Sequence, residues 1–191
     1  VSEVARVLRD DGYCFRIGLI GSGEMEPRLR QLASEAGLLD TSIQFLGAMS
    51  PEDVRRHMEK AGIYLFTSDR QEGWGAVLNE AMNSGCAVVA GDAAGATPFL
   101  VQDGANGSVY HSGDVQELYE KVRRLLDDPS TQRAFGSAAY RTITGLWNAE
   151  TAAERFLQLS QALLDGRDAT KLFADGPCSP ASLLREDWYR K

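Results

Sequence analysis

Cysteine and histidine are scarce. Three cysteines in 191 residues, Cys14, Cys86 and Cys178, stand far apart and form no C-x-x-C pair, which excludes a disulfide framework and a thiolate metal site. The two histidines, His57 and His111, are not paired at metal-ligand spacing and read as surface residues. The acid pairs Asp10-Asp11 and Asp127-Asp128 are adjacent and make no D-x-D motif, so no metal and no bound cofactor are expected. Basic residues are outnumbered, 20 Lys+Arg against 27 Asp+Glu for a net charge of −7. That excludes the basic face needed to bind nucleic acid or an anionic membrane. Apolar runs fall far short of the ~20 residues that cross a bilayer, and no signal pattern opens the chain. The expectation is a cytoplasmic chain without membrane association. It starts at Val1 and not at Met, as a fragment of a longer protein would.

What is present is ordinary globular composition, 43% hydrophobic and 25% charged, and a length that suits one domain. Short, unalternating apolar runs predict strands at 14–20, 42–46, 62–67, 86–90 and 107–110, each covered on both faces. Segments of helical period separate them: 1–10, 26–37, 51–60 behind the Ser50-Pro51 start signal, and 76–84. Helices alone follow, at 114–127, 130–145 and 149–165, with Asp114 and Asn148 as caps. This order predicts an α/β fold, a Rossmann-like parallel sheet with flanking helices and a helical C-terminal end. The domain spans 1–165. Residues 166–191 gain Gly, Pro and Ser and read as a C-terminal tail with a short helix at 180–189, its Phe173, Leu183, Leu184, Trp188 and Tyr189 covering the domain's own surface.

Two glycine motifs compete for a phosphate. Gly21-Ser22-Gly23 follows the first predicted strand, but the third glycine of a dinucleotide fingerprint is replaced by Glu26, so a tight strand-to-helix turn is the better reading. The stretch Ser68-Asp69-Arg70-Gln71-Glu72-Gly73-Trp74-Gly75-Ala76, leading into a helix that ends at Gly85, is more specific. A loop at the carboxyl end of a parallel strand, entering a helix N-terminus, is where open α/β sheets bind ligands, and the dipole there favours an anion. Two carboxylates frame it, Glu72 before the helix and Glu80 inside it, seven residues lying between them. Carboxylates accept paired hydrogen bonds from sugar hydroxyls. Glu80 is expected to lie toward the loop, on a helix that buries Val77, Leu78, Ala81 and Met82. Trp74 and Trp147 read as packing residues.

The stretch resembles the E-x7-E region of the group 1 glycosyltransferases. Phe45-Leu46-Gly47 before Ser50-Pro51, Glu80-Ala81-Met82 with Gly85, Val88-Val89-Ala90 and Asp103-Gly104-Ala105-Asn106-Gly107 extend the resemblance over roughly residues 3–165. It implies the C-terminal, donor-binding half of a GT-B enzyme that uses a nucleoside-diphosphate sugar and retains anomeric configuration. By the same resemblance, Glu72 would be the catalytic carboxylate beside the transferred sugar, and Glu80 would hold the ribose hydroxyls. The backbone of Gly73, Trp74, Gly75 and Ala76 would face the sugar and diphosphate, and Leu46 and Gly47 would line the base.

Departures accompany the match. The resemblance leads to an Arg and a Lys after the first strand, and that strand would precede Val1. In a 3-2-1-4-5-6 sheet it would be internal, so the chain is expected to rearrange, pair with another chain, or belong to a longer polypeptide with an N-terminal acceptor domain. Without that domain it is expected to be inactive. A Glu is expected after Pro98, where Phe99 stands, and a glycine at Ala96. Three alternatives stay open: a nucleotide-sugar epimerase, a phosphorylase of the same architecture, and a non-catalytic nucleotide-sugar-binding scaffold.

Overall fold

The run Ala87-Val88-Val89-Ala90 offers no polar side chain to water, so it has to be covered on both faces. In the computed structural model, whose residues 1–181 are described, it forms a strand buried at every position. In chain order the elements are α1 (Ser2–Asp10), β1 (Ile17–Ile20), α2 (Glu26–Glu35), β2 (Ile43–Gly47), α3 (Pro51–Lys60), β3 (Ile63–Phe66) and α4 (Ala76–Asn83). They continue with β4 (Ala87–Gly91), α5 (Thr97–Leu100), β5 (Ser108–Tyr110), α6 (Val115–Asp127), α7 (Pro129–Gly145) and α8 (Ala149–Leu164).

Side chains of β4 alternate between two layers, as the pleat requires. Val88 and Ala90 pack with Leu78 and Met82 of α4 and with Ala139 and Ile143 of α7. Ala87 and Val89 pack on the other side, with Val4 and Leu8 of α1 and Leu118, Val122 and Leu125 of α6. Among the described residues side-chain caps start four helices: Ser50 accepts from Asp53 N, Asp114 from Glu117 N, Asp128 from Ser130 N and Thr131 N, and Asn148 from Thr151 N. Each spares an amide at an open helix end.

Among the described residues all strand pairs are parallel, but they form two sheets. One has the order β3-β4-β5 and the other is the pair β1-β2. α1 spans them, since Val4 and Leu8 belong to the core around β4 while Ala5 packs with Ile43 of β2. Phe15 touches both cores. Whereas β4 is fully buried, β1 and β3 are mostly half-buried, and Gly18 and Gln44 leave one face of the β1-β2 pair exposed. The single sheet expected from sequence is thus divided between β1 and β3.

Residues 14–16, expected to open the first strand, stay outside the ladder because pairing begins at Ile17 opposite Ile43. α5 was not expected; four residues around Pro98 are too few to show a helical period. In the tail, the Arg155 guanidinium lies 4.7 Å from the Phe173 ring centroid and donates to the Asp175 carbonyl, which lays that part of the tail on α8. The helix expected at 180–189 lies, beyond its first two positions, outside the described residues, as do Leu183, Leu184, Trp188 and Tyr189.

Candidate functional site

β3 ends at Phe66, and the loop from Thr67 to Gly75 carries the chain over the sheet edge into α4. Asp69 folds the loop on itself: its carboxylate accepts from Gln71 N at 2.9 Å and its carbonyl from Glu72 N at 3.0 Å. The chain then runs beside the segment after β4. Gly95 N donates to Glu72 O at 3.3 Å and Ala96 N to Trp74 O at 2.9 Å. A Cβ on Gly95 would stand 1.8 Å from the Gly73 carbonyl oxygen, so only glycine permits this approach. Gly75 has φ +89°, and a Cβ there would lie 2.3 Å from the ring of buried Phe66. Glycine is therefore required both for the left-handed turn and for seating the loop.

The loop borders an open cleft of about 400 Å³ lined by Thr67, Ser68, Asp69, Gln71 and Glu72. α4 begins at its edge, with no side chain capping the N-terminus, so the positive end of the helix is available to an anion. Of the two carboxylates picked from sequence, Glu72 lines the cleft and is half-buried. Glu80 is exposed and does not line it, which corrects the expectation of a sheltered position. The reason is helical phase. Leu78, Ala81 and Met82 form the buried stripe, and a residue two positions from Leu78 lies off that stripe. Val77, expected in the core, is 40% exposed, in the first turn of α4 on the flank of that stripe. Glu80 still lies close to β3: burial raises the Tyr64 phenol pKa, and the neighbouring charges of Cys86 and Glu80 raise it further.

Gly73, Trp74, Gly75 and Ala76 come together at the loop and helix start as expected. Leu46 and Gly47 are half-buried at the carboxyl end of β2, in the other sheet, where Gly47 O accepts from Gly21 N at 2.8 Å. Residues Gly21 to Met25 are an exposed turn into α2, the strand-to-helix turn expected from sequence. Trp74 packs against Phe99 and Trp147, with ring centroids 5.6 and 5.7 Å away.

Sequence reading missed one polar pair. His111 Nδ1 lies 2.8 Å from Asp92 Oδ2, and Asp92 Oδ1 accepts from Ser112 N at 2.9 Å, so His111 is a half-buried, partnered residue and not a plain surface one. Asp92 directly follows β4 and His111 directly follows the adjacent β5, and parallel pairing of those strands was the signal available. The pair is on the same end of the sheet as the cleft, since a Cβ on Gly91 would lie 3.5 Å from Ser68 O. Among the described residues no group of three or more His, Cys, Asp or Glu side chains could hold a metal. No helix among them is long and apolar enough to cross a membrane.

Parallel strands with helices on both faces, and a glycine loop, a carboxylate and a helix N-terminus at one sheet edge, define a doubly wound α/β domain. The family described as "Glycosyl transferases group 1" matches residues 1–142, and the chain belongs to it. It is similar to a Corynebacterium glutamicum protein named GDP-mannose-dependent monoacylated alpha-(1-6)-phosphatidylinositol monomannoside mannosyltransferase, 31% identical over 150 residues, 75% of this chain and 38% of that protein. Sulfoquinovosyl transferase SQD2 of Arabidopsis thaliana is 30% identical over 151 residues, 78% of this chain and 28% of that protein. The chain thus spans well under half the length of these curated relatives. Among solved structures, Anabaena Alr3699/HepE in complex with UDP has a TM-score of 0.71 at 24% identity, covering 84% of this chain and 44% of that one. The C-terminal domain of a group 1 glycosyltransferase from Francisella tularensis has a TM-score of 0.68 at 24% identity, covering 78% of this chain and 77% of that domain.

Proposed function

We propose that this chain is the donor-binding domain of a glycosyltransferase that moves a sugar from a nucleoside-diphosphate sugar to an acceptor with retention of configuration. The observation that carries the reading is the cleft at the end of β3, where Glu72 stands beside the glycine loop and the uncapped N-terminus of α4. In this reading the amides of residues 73–76 take the sugar and diphosphate, and Glu72 accepts from the hydroxyls of the transferred sugar. Glu80 holds the ribose and Leu46 with Gly47 the base. As the glycosidic bond breaks, negative charge grows on the leaving diphosphate and positive charge on the anomeric carbon. Fixed dipoles aimed at the diphosphate and a carboxylate near the sugar stabilise both without reorganising. The names of relatives that depend on GDP-mannose and the UDP-bound neighbour support this assignment.

The acceptor half belongs to a longer polypeptide, whose first strand would pair between β1 and β3. That arrangement fits the divided sheet, the relatives' greater length, and the exposed Phe156, Leu157, Leu163 and Leu164 on α8, which a second domain would cover. We place the protein in the cytoplasm, a reducing compartment suited to its free Cys14, Cys86 and Cys178. By itself the chain binds donor but does not turn it over. A second reading, a nucleotide-sugar-binding scaffold, draws on the fact that only one of the two carboxylates lines the cleft.

Calorimetric titration with UDP, GDP and ADP, repeated on Glu80→Ala, tests the proposal. Saturable binding of one nucleotide that the substitution weakens is the expected result. Equal affinity in both proteins would remove Glu80 from the site, and turnover by this chain alone would refute the need for an acceptor half.

A further inference from the structure

Three aromatic rings from three separate segments meet beside the glycine loop. Trp74 comes from the loop, Phe99 from α5 and Trp147 from the junction of α7 and α8. Ring centroids are 5.6 Å apart for Trp74 and Phe99, 5.7 Å for Trp74 and Trp147, and 6.3 Å for Phe99 and Trp147. The Trp74 indole N–H donates to Asn79 Oδ1 at 2.9 Å, one turn into α4. Trp74 is 37% exposed and Phe99 40%, so the cluster does not bury its members as a core would. Its effect is to fix one ring from two sides.

That ring belongs to the residue whose carbonyl bonds Ala96 N, next to the Gly73 carbonyl that presses on Gly95. The α4 end of the loop is seated at Gly75 on the Phe66 ring, and α4 is anchored by Leu78, Ala81 and Met82. Residues 72–74 are held by the bond from Glu72 N to Asp69 O, by two backbone hydrogen bonds to residues 95–96, and by Trp74 through its ring and its indole N–H. We infer that Phe99 and Trp147 are positioning residues that act through Trp74 to hold the backbone of residues 72–74 against the sugar-diphosphate part of the donor. The inference rests on the donor-site reading above and sharpens it. Contacts to the nucleoside, assigned to Glu80 and to Leu46 with Gly47, sit on elements that do not depend on the clamp.

The split between the two ligand halves gives the test. The chain and its Phe99→Ala, Phe99→Leu and Phe99→Tyr variants are titrated with UDP-glucose against UMP and with GDP-mannose against GMP, with near-UV circular dichroism recorded on each. Aromatic pairs of this kind are worth enough to change affinity by about tenfold. Phe99→Ala is expected to weaken the nucleotide sugar about tenfold while the monophosphate changes by less than about twofold, and to reduce the near-UV signal. Phe99→Leu, which keeps bulk without a ring, gives the same split if the alanine variant folds poorly. Phe99→Tyr restores both affinity and signal. Equal weakening of both ligands, or no change in either, overturns the clamp while leaving the donor site standing. Failure of the unsubstituted chain to bind any of the four ligands removes the donor site and the clamp together.

Discussion

Replacing Gly95 by alanine puts a methyl carbon 1.8 Å from the Gly73 carbonyl oxygen and 2.7 Å from its carbonyl carbon. Both are backbone atoms, so no side chain can rotate away. Reaching ordinary contact means moving the loop or the 93–96 segment by more than about 1 Å, enough to take the loop amides out of the hydrogen-bond range of about 2.7–3.2 Å from a bound sugar diphosphate. Overpacking also costs about 1–3 kcal/mol of stability, or about 2–12 °C of melting temperature for a chain of this size. Gly136→Ala separates the two effects, because its Cβ would stand 2.1 Å from Gly85 O, at the opposite end of β4 from the cleft. Both variants are expected to melt lower in calorimetry. Only Gly95→Ala is expected to lose nucleotide-sugar binding in a titration well below the melting transition. Unchanged binding by Gly95→Ala, or an equal loss in Gly136→Ala, would refute the claim that the 93–96 segment sets the position of the donor loop.

Asn106 is buried, donates to Leu100 O and Thr142 Oγ1 and accepts from Gln102 N, so Asn106→Ala should cost about 1–3 kcal/mol in denaturant unfolding; an unaltered midpoint would contradict its role as the tie between that loop and α7. Hydrogen bonds from the Ser130 and Thr131 hydroxyls and amides hold the Asp128 carboxyl below its ordinary value. Its contribution is therefore complete above the unfolded carboxylate pKa of about 4 and is lost as pH falls through the lower folded value. Asp128→Ala should flatten the acid side of the stability profile, and an identical slope in both proteins would count against this. Burial pushes the Cys86 thiol up to about 11 and its S–H donates to Met58 O, whereas Cys14 is exposed. Thiol labelling at pH 8 should modify Cys14 quickly and Cys86 only after unfolding; rapid labelling of Cys86 in the folded chain would show that its burial is wrong.

Elements with dense local signals were legible in the sequence. The Ser50-Pro51 start of α3, the Asp114 and Asn148 caps and the apolar run of β4 depend on neighbours within a few residues, and they stand where expected. The glycine loop was legible for a related reason, since Gly75 is demanded by backbone conformation and by contact with Phe66, both close in sequence. Other features depend on partners far along the chain. The division of the sheet between β1 and β3 cannot be read from either strand alone, because an apolar strand looks the same whether one edge or both are paired. The exposure of Glu80 follows from which stripe of α4 meets α7. The His111–Asp92 pair joins residues 19 apart, and the Trp74–Phe99–Trp147 cluster joins three segments. Each required the parallel order of β3, β4 and β5 before it could be seen.

On the function proposed above, the glycine loop and the start of α4 bind a nucleotide sugar. Backbone NMR of the chain titrated with UDP-glucose and with GDP-mannose tests it most directly. One donor is expected to shift the amides of Glu72, Gly73, Trp74, Gly75 and Ala76, together with those of Leu46, Gly47 and Glu80. Shifts confined elsewhere, for example to Arg133, Gly136 and Arg141 along the cleft beside Gly85, or no shifts with either donor, would contradict it.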